Sequence, residues 1–197
     1  MSVAHERTSR HTRLAAVHRA CAVGLLLLVA APRAGAQGPS RLWYELTVGG
    51  SGTRLTCDFC APARDVGAAA ALAVGAYAGD RVRVGVELSR WTYRDRDVRE
   101  RIKGIGVVAH LVPDPKRGLY LLGGAGWSAY SAGEFAYDAP RITVGLGWDI
   151  PAFGQWVVGN VVALDAASFG SLRNGGATVV RNVGLSAVRA SVQLRRR

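Results

Sequence analysis

No apolar run after residue 36 is long enough to cross a bilayer as a helix, which needs about 20 residues. Lysine is almost missing from the same stretch, where only Lys103 and Lys116 stand among twenty basic residues. The arginines are scattered among acids rather than gathered in a tract, so a nucleic-acid partner is not expected. Histidine is reduced to His110, which leaves little material for a metal site or a histidine-dependent triad. Cysteine is reduced to Cys57 and Cys60. With no second pair and no βαβ pattern around them, neither a zinc site nor a thioredoxin-like centre is indicated. No metal or cofactor is expected.

The first 36 residues have the layout of an export signal. Arg7, Arg10, Arg13 and Arg19 form a basic start, and Ala20 to Ala31 supply an apolar run of twelve residues containing Leu25 to Leu28. Pro32 and Arg33 close the run, and Ala34-Gly35-Ala36 is an A-x-A cleavage site. An uncleaved anchor is the competing reading, disfavoured by the A-x-A site and by the shortness of the run. Cys21 precedes the leucines, so lipoprotein attachment has no support. Processing leaves residues 37–197 as one domain, and the formal net charge falls from +11 to about +7. A basic exterior favours anionic lipid headgroups.

Residues 37–197 are built of segments about ten residues long with period-2 patterning, separated by turn residues. Near Leu42–Gly50, Leu42, Tyr44, Leu46 and Val48 share one face, and Trp43, Glu45, Thr47 and Gly49 the other. Near Arg81–Tyr93, Val82, Val84, Val86 and Leu88 oppose Arg83, Gly85, Glu87 and Ser89. Near Arg141–Ile150, Ile142, Val144, Leu146 and Trp148 oppose Thr143, Gly145, Gly147 and Asp149. Val66–Ala78 is alanine-rich, and a short helix competes there; its glycines and the turn at Gly79-Asp80 favour a strand with a small inner face. Arg101–Val112 puts Ile105, Val107, Ala109 and Leu111 outward. Leu119–Tyr130 and Gln155–Asp165 are apolar on both faces, and a last strand lies within Ala177–Leu194. Short connections at Gly79-Asp80, Pro113–Gly118 and Pro151–Gly154 alternate with long ones at Ser51–Asp65, Arg94–Glu100, Ser131–Pro140 and Ala166–Gly176. The expected fold is all-β: an eight-stranded antiparallel up-and-down transmembrane barrel.

The aromatics fall at two levels, as interface girdles do. Trp43, Tyr44, Tyr77, Tyr120, Trp148, Phe153 and Trp156 lie toward the short turns; Trp91, Tyr93, Trp127, Tyr130, Phe135, Tyr137 and Phe169 lie toward the long loops. Glu45, Arg83, Glu87, Lys103, Asp149 and Arg189 cannot meet lipid cheaply, at roughly 2–4 kcal/mol per midplane charge. They are expected to form a polar network inside, where an eight-stranded barrel leaves room only for side chains. That disfavours an open porin.

The glycine-punctuated segments Gly104-Ile105-Gly106-Val107, Gly123-Gly124-Ala125-Gly126-Trp127 and Val144-Gly145-Leu146-Gly147-Trp148, with this strand–turn rhythm, resemble the small eight-stranded outer-membrane β-barrel family across residues 37–197. The resemblance implies a fold and an outer-membrane location, since members range from structural anchors to adhesins and lipid enzymes. One departure is the end: such barrels usually finish on an aromatic residue, whereas Leu194 is followed by Arg195-Arg196-Arg197.

Cys57 and Cys60 in an exported chain are expected to form a disulfide. His110 is expected near the short-turn rim, across from about residues 84 and 121, too far from Ser89 and Ser128 for a triad. The sign-alternating run Arg94–Arg101 reads as a solvated loop, and its arginines suit phosphates of surface glycolipid. A monomeric, non-enzymatic barrel in outer-membrane lipid, structural or surface-interacting, is the expectation. A lipid-modifying enzyme and a soluble periplasmic barrel binding a small apolar ligand are its rivals.

Overall fold

A computed structural model describes residues 42–57, 60, 63–95 and 98–196. Eight strands follow one another: β1 (Leu42–Thr56), β2 (Asp65–Tyr77), β3 (Val82–Asp95), β4 (Val98–Leu111), β5 (Leu119–Ala132), β6 (Phe135–Pro151), β7 (Trp156–Asn174) and β8 (Ala177–Arg196). Each pairs antiparallel with its sequence neighbours, and β1 pairs with β8 to close a barrel. The proposed export signal, residues 1–36, lies outside the described residues, as do Phe59, Arg96 and Asp97.

Alternation along each strand decides what faces in. On β1, Trp43, Glu45 and Thr47 are buried while Leu42, Tyr44, Leu46 and Val48 are exposed. On β6, Arg141, Thr143 and Asp149 are buried while Ile142, Val144, Leu146 and Trp148 are exposed. On β2 the helical preference of alanine loses to the two ladders that flank it. Ala69, Ala71 and Ala73 line the inside, and Leu72 and Val74 the outside. The two strands whose faces the pattern leaves open are now assigned. β5 turns Tyr120, Leu122, Ser128 and Tyr130 inward, and β7 turns Val157, Val161, Ala163 and Ala167 inward.

The connections depart from expectation. Of the four anticipated long loops only the first, between Thr56 and Asp65, is one, and the Cys57–Cys60 disulfide ties it. The other three are strand carried onward, as far as the pairing of Asp95 with Val98 and to tight tips at Gly133–Glu134 and Gly175–Gly176. A two-residue hairpin tip requires positive φ, and Gly175 and Gly176 supply 55° and 90°. Polar side chains end the apolar pattern there without ending the ladder, because backbone pairing does not depend on which face is apolar. The opposite end holds both chain termini of the barrel and a seven-residue connection, residues 112–118. Overhang rather than loop length therefore separates the two ends. β7 and β8 have 19 and 20 residues, against the ~9–11 that cross a membrane. Bulges at Phe169 and Asn182, both at positive φ, bend this overhanging hairpin.

Candidate functional site

The interior is charged at two levels. At mid-height, Arg141 of β6 reaches Glu87 of β3 (3.2 Å) and Asp165 of β7 (3.8 Å), and Arg189 of β8 reaches the same two carboxylates at 3.7 and 2.8 Å. The four side chains close an alternating ring across the lumen. Thr143 Oγ1 donates to Asp165 Oδ1 (2.6 Å), and Arg141 donates to Ser89 Oγ (2.8 Å). Nearer the turn end, Arg83 pairs with Asp149 (3.4 Å), and Arg195 pairs with Asp149 and with Glu45 (3.4 Å). Gln193 Nε2 donates to Asp149 Oδ1, and Tyr120 Oη donates to Gln193 Oε1. Four arginines and four carboxylates thus balance in charge inside the wall. Burying any one alone would be costly; each here has at least one opposite partner.

Five of the six residues expected in this network, Glu45, Arg83, Glu87, Asp149 and Arg189, are brought together there. Lys103 is not. It shares its strand parity with Ile105 and Val107, and its side chain lies exposed on the outer wall. Arg141, Asp165, Gln193 and Arg195 complete the network and go beyond the sequence expectation. Strand parity carried the signal for Arg141, which shares the face of Thr143 and Asp149. Arg195, only 1 % exposed, is the first of the three arginines that follow Leu194.

The aromatic girdles need a larger correction. Tyr44, Trp127, Trp148 and Trp156 follow the outward parity of their strands, and Phe135, Phe153 and Phe169 are exposed beside them. Trp43, Tyr77, Trp91, Tyr93, Tyr120 and Tyr130 face the lumen instead. Their heights along the barrel are those expected, but their radial direction is opposite, because each shares parity with a lumen residue, as Trp43 does with Glu45. Trp91, Tyr130 and Tyr137 pack with Ile102, Val183 and Leu185 above the mid-height ring. Trp91 Nε1 donates to the Ser51 carbonyl (2.9 Å). Trp43 and Tyr120 pack with Val108, Leu122 and Val161 below it. The guanidinium of Arg83 lies 4.9 Å above the Tyr120 ring, within cation–π range.

Several of these rings lie where a glycine leaves space. A methyl group at Gly147 would come within 2.1 Å of the Tyr120 ring, and one at Gly170 within 2.1 Å of the Tyr137 ring. At these two positions the neighbouring strand offers bare backbone, and the ring lies over it.

His110 is buried between the rings of Trp43 (5.3 Å) and Tyr120 (4.9 Å), opposite Arg83 and Leu122, one position from the expected pairings. Ser89 is engaged by Arg141 in the mid-height layer. The arrangement fixes an aromatic stack, and His110 Nδ1 has no hydrogen-bond partner among the described residues.

The outer wall is the reverse of the interior. Leu46, Leu72, Leu88, Ile105, Leu121, Ile142, Val162 and Val192, one from each strand, are 47–64 % exposed. No protein-family model and no curated protein matches the sequence. Solved structures do match in shape. Neisserial surface protein A superposes with a TM-score of 0.52 at 13 % identity, over 76 % of this chain and 95 % of that one. Ail, the attachment invasion locus protein of Yersinia pestis, gives 0.49 at 9 % identity over 78 % and 97 %. The outer membrane protein AlkL gives 0.45 at 11 % identity over 82 % and 93 %. The chain is a closed, eight-stranded, all-antiparallel barrel with the fold of the small outer-membrane barrels. Among them it is similar in fold to Neisserial surface protein A.

Proposed function

We propose that this chain is an integral barrel of the bacterial outer membrane, with a sealed interior and a structural or surface-interaction role. The observation that carries this reading is the aliphatic belt, one large exposed residue per strand around the whole circumference. In water such a belt would far exceed the few hundred Å² of contiguous apolar surface that soluble monomers leave open. Against hydrocarbon it is the favourable exterior, and the charges sit where lipid cannot reach them. A soluble carrier of an apolar ligand needs the opposite arrangement and a hollow centre. The cavity between Ser51, Trp91, Arg141 and Arg189 holds about 30 Å³, room for about one water; small-molecule sites need roughly 300–1,000 Å³.

Two results are expected. The protein folded in detergent migrates differently on gels before and after boiling, and membranes containing it retain it through carbonate and urea extraction. An unchanged band together with release by carbonate would overturn the membrane reading. In planar bilayers the folded barrel gives no steady conductance above the bare membrane, because ion-pair and aromatic layers fill its bore. A reproducible single-channel step from the unaltered protein would overturn the sealed interior.

A further inference from the structure

We infer that the outer wall of β3 and β4, just beyond the apolar belt at the overhanging end, is a binding site for a phosphate-bearing lipid. The inference rests on the membrane reading above and adds a ligand to it. The outward residues of β3 are Val82, Val84, Val86 and Leu88, then Arg90, Thr92 and Arg94; those of β4 are Leu111, Ala109, Val107 and Ile105, then Lys103, Arg101 and Arg99. The register stacks the polar ones in three consecutive rungs: Arg90 opposite Lys103, Thr92 opposite Arg101, Arg94 opposite Arg99. Three cations, Arg90, Lys103 and Arg101, occupy the four outward positions of the two rungs nearest the belt, and no acid shares the outward faces of these two strands among the described residues. Like charges directly opposite one another destabilise a sheet. A surface that places them so is complementary to an anion.

Position selects the kind of anion. Arg90 is one outward step beyond Leu88, and Lys103 one beyond Ile105, about 7 Å along the strand. The cations therefore stand at the edge of the hydrocarbon, at headgroup depth. Beside them, at the height of Arg90 and Thr92, Val48, Gly49, Ala68 and Ala70 floor an open indentation of the wall. A lipid bound there lays its acyl chains against the apolar belt next to it, at Leu72, Leu88 and Ile105, while its phosphate meets the guanidinium groups, which bind phosphate through paired N–H donors. A free phosphate would use the cations alone. Lys103, which the sequence pattern assigns to the lumen network, is in this arrangement part of the lipid site.

The test uses the detergent-folded full barrel and native mass spectrometry. Phosphorylated lipid A is titrated, with the same lipid stripped of phosphate and inorganic phosphate as separate probes. The unaltered protein is expected to retain phosphorylated lipid A in preference to the stripped form, and excess inorganic phosphate is expected not to displace it. Removing two charges as Arg90→Gln with Lys103→Gln is expected to weaken retention about 25-fold, fivefold for each cation near a lipid surface. Arg81→Gln with Lys116→Gln, at the opposite end, is expected to leave it unchanged. Equal retention of the stripped lipid, or an unaffected Arg90/Lys103 variant, would overturn the site. Displacement by inorganic phosphate would reduce it to a general anion patch and overturn the lipid assignment. Gel migration of the same samples, boiled and unboiled, reports separately whether the barrel has formed.

Discussion

Replacing Glu87 by alanine is expected to cost about 3–5 kcal/mol of folding stability, the range for breaking a buried ion pair by removing one partner. Glu87 is the carboxylate through which β3 joins the mid-height ring, and it faces Arg141 and Arg189 together. Without it two buried guanidinium groups share Asp165 alone. Urea titration of the folded fraction in lipid vesicles, followed by gel migration, measures the loss. Removing a base as well, in Glu87→Ala with Arg189→Ala, restores charge balance. The pair is therefore expected to cost less than the sum of the single changes, with a coupling of about 0.5–3 kcal/mol. A Glu87→Ala barrel that unfolds within about 0.5 kcal/mol of the parent would show that the ring contributes nothing net, as some buried ion pairs do.

The second large effect concerns packing. Gly147→Ala is expected to destabilise the barrel by about 1–3 kcal/mol through overpacking. Its new methyl would sit 2.1 Å from the Tyr120 ring, which cannot swing aside. That ring stacks on His110, carries Arg83 above its face and is held by its bond to Gln193. Tyr120→Ala empties the space, so Gly147→Ala in that background is expected to cost much less. The same urea titration on the four members of the cycle decides the matter. Additive losses would mean that the ring does not lie over the glycine of the neighbouring strand.

Much of this architecture was legible in the alternation of single side chains. Val82 to Leu88 and Ile142 to Trp148 could sit nowhere but on one face of a strand, and that face had to meet something apolar. Parity also held the answer for Lys103 and for the inward aromatics, but chemistry pulled the other way: a charge suggests the interior of a membrane barrel, and a tryptophan suggests its interface. Lys103 lies on the outer face of β4, just past the last large apolar residue there, Ile105. Trp43 and Tyr120 lie opposite glycines, which makes the inside roomy at those points. Asp165 was harder to place, because both faces of β7 are apolar around it and give no contrast. Arg195 stands one residue past Leu194, where no further apolar side chain marks the strand. The overhanging hairpins were illegible for a related reason. Outside the belt the outer face loses its large apolar side chains, so the alternation that marks a strand in the sequence fades, although the ladder continues.

The two sets of cations in this molecule live under different rules because of the layers that bracket one of them. Trp91, Tyr130 and Tyr137 pack above the ring, and Trp43 and Tyr120 below it. Buried pairs are screened much less than exposed ones, so added sodium chloride is expected to weaken the pairs of Glu87 and Asp165 little. The cations on the outer wall have no such shelter, and at 1 M salt their field dies away within about 3 Å.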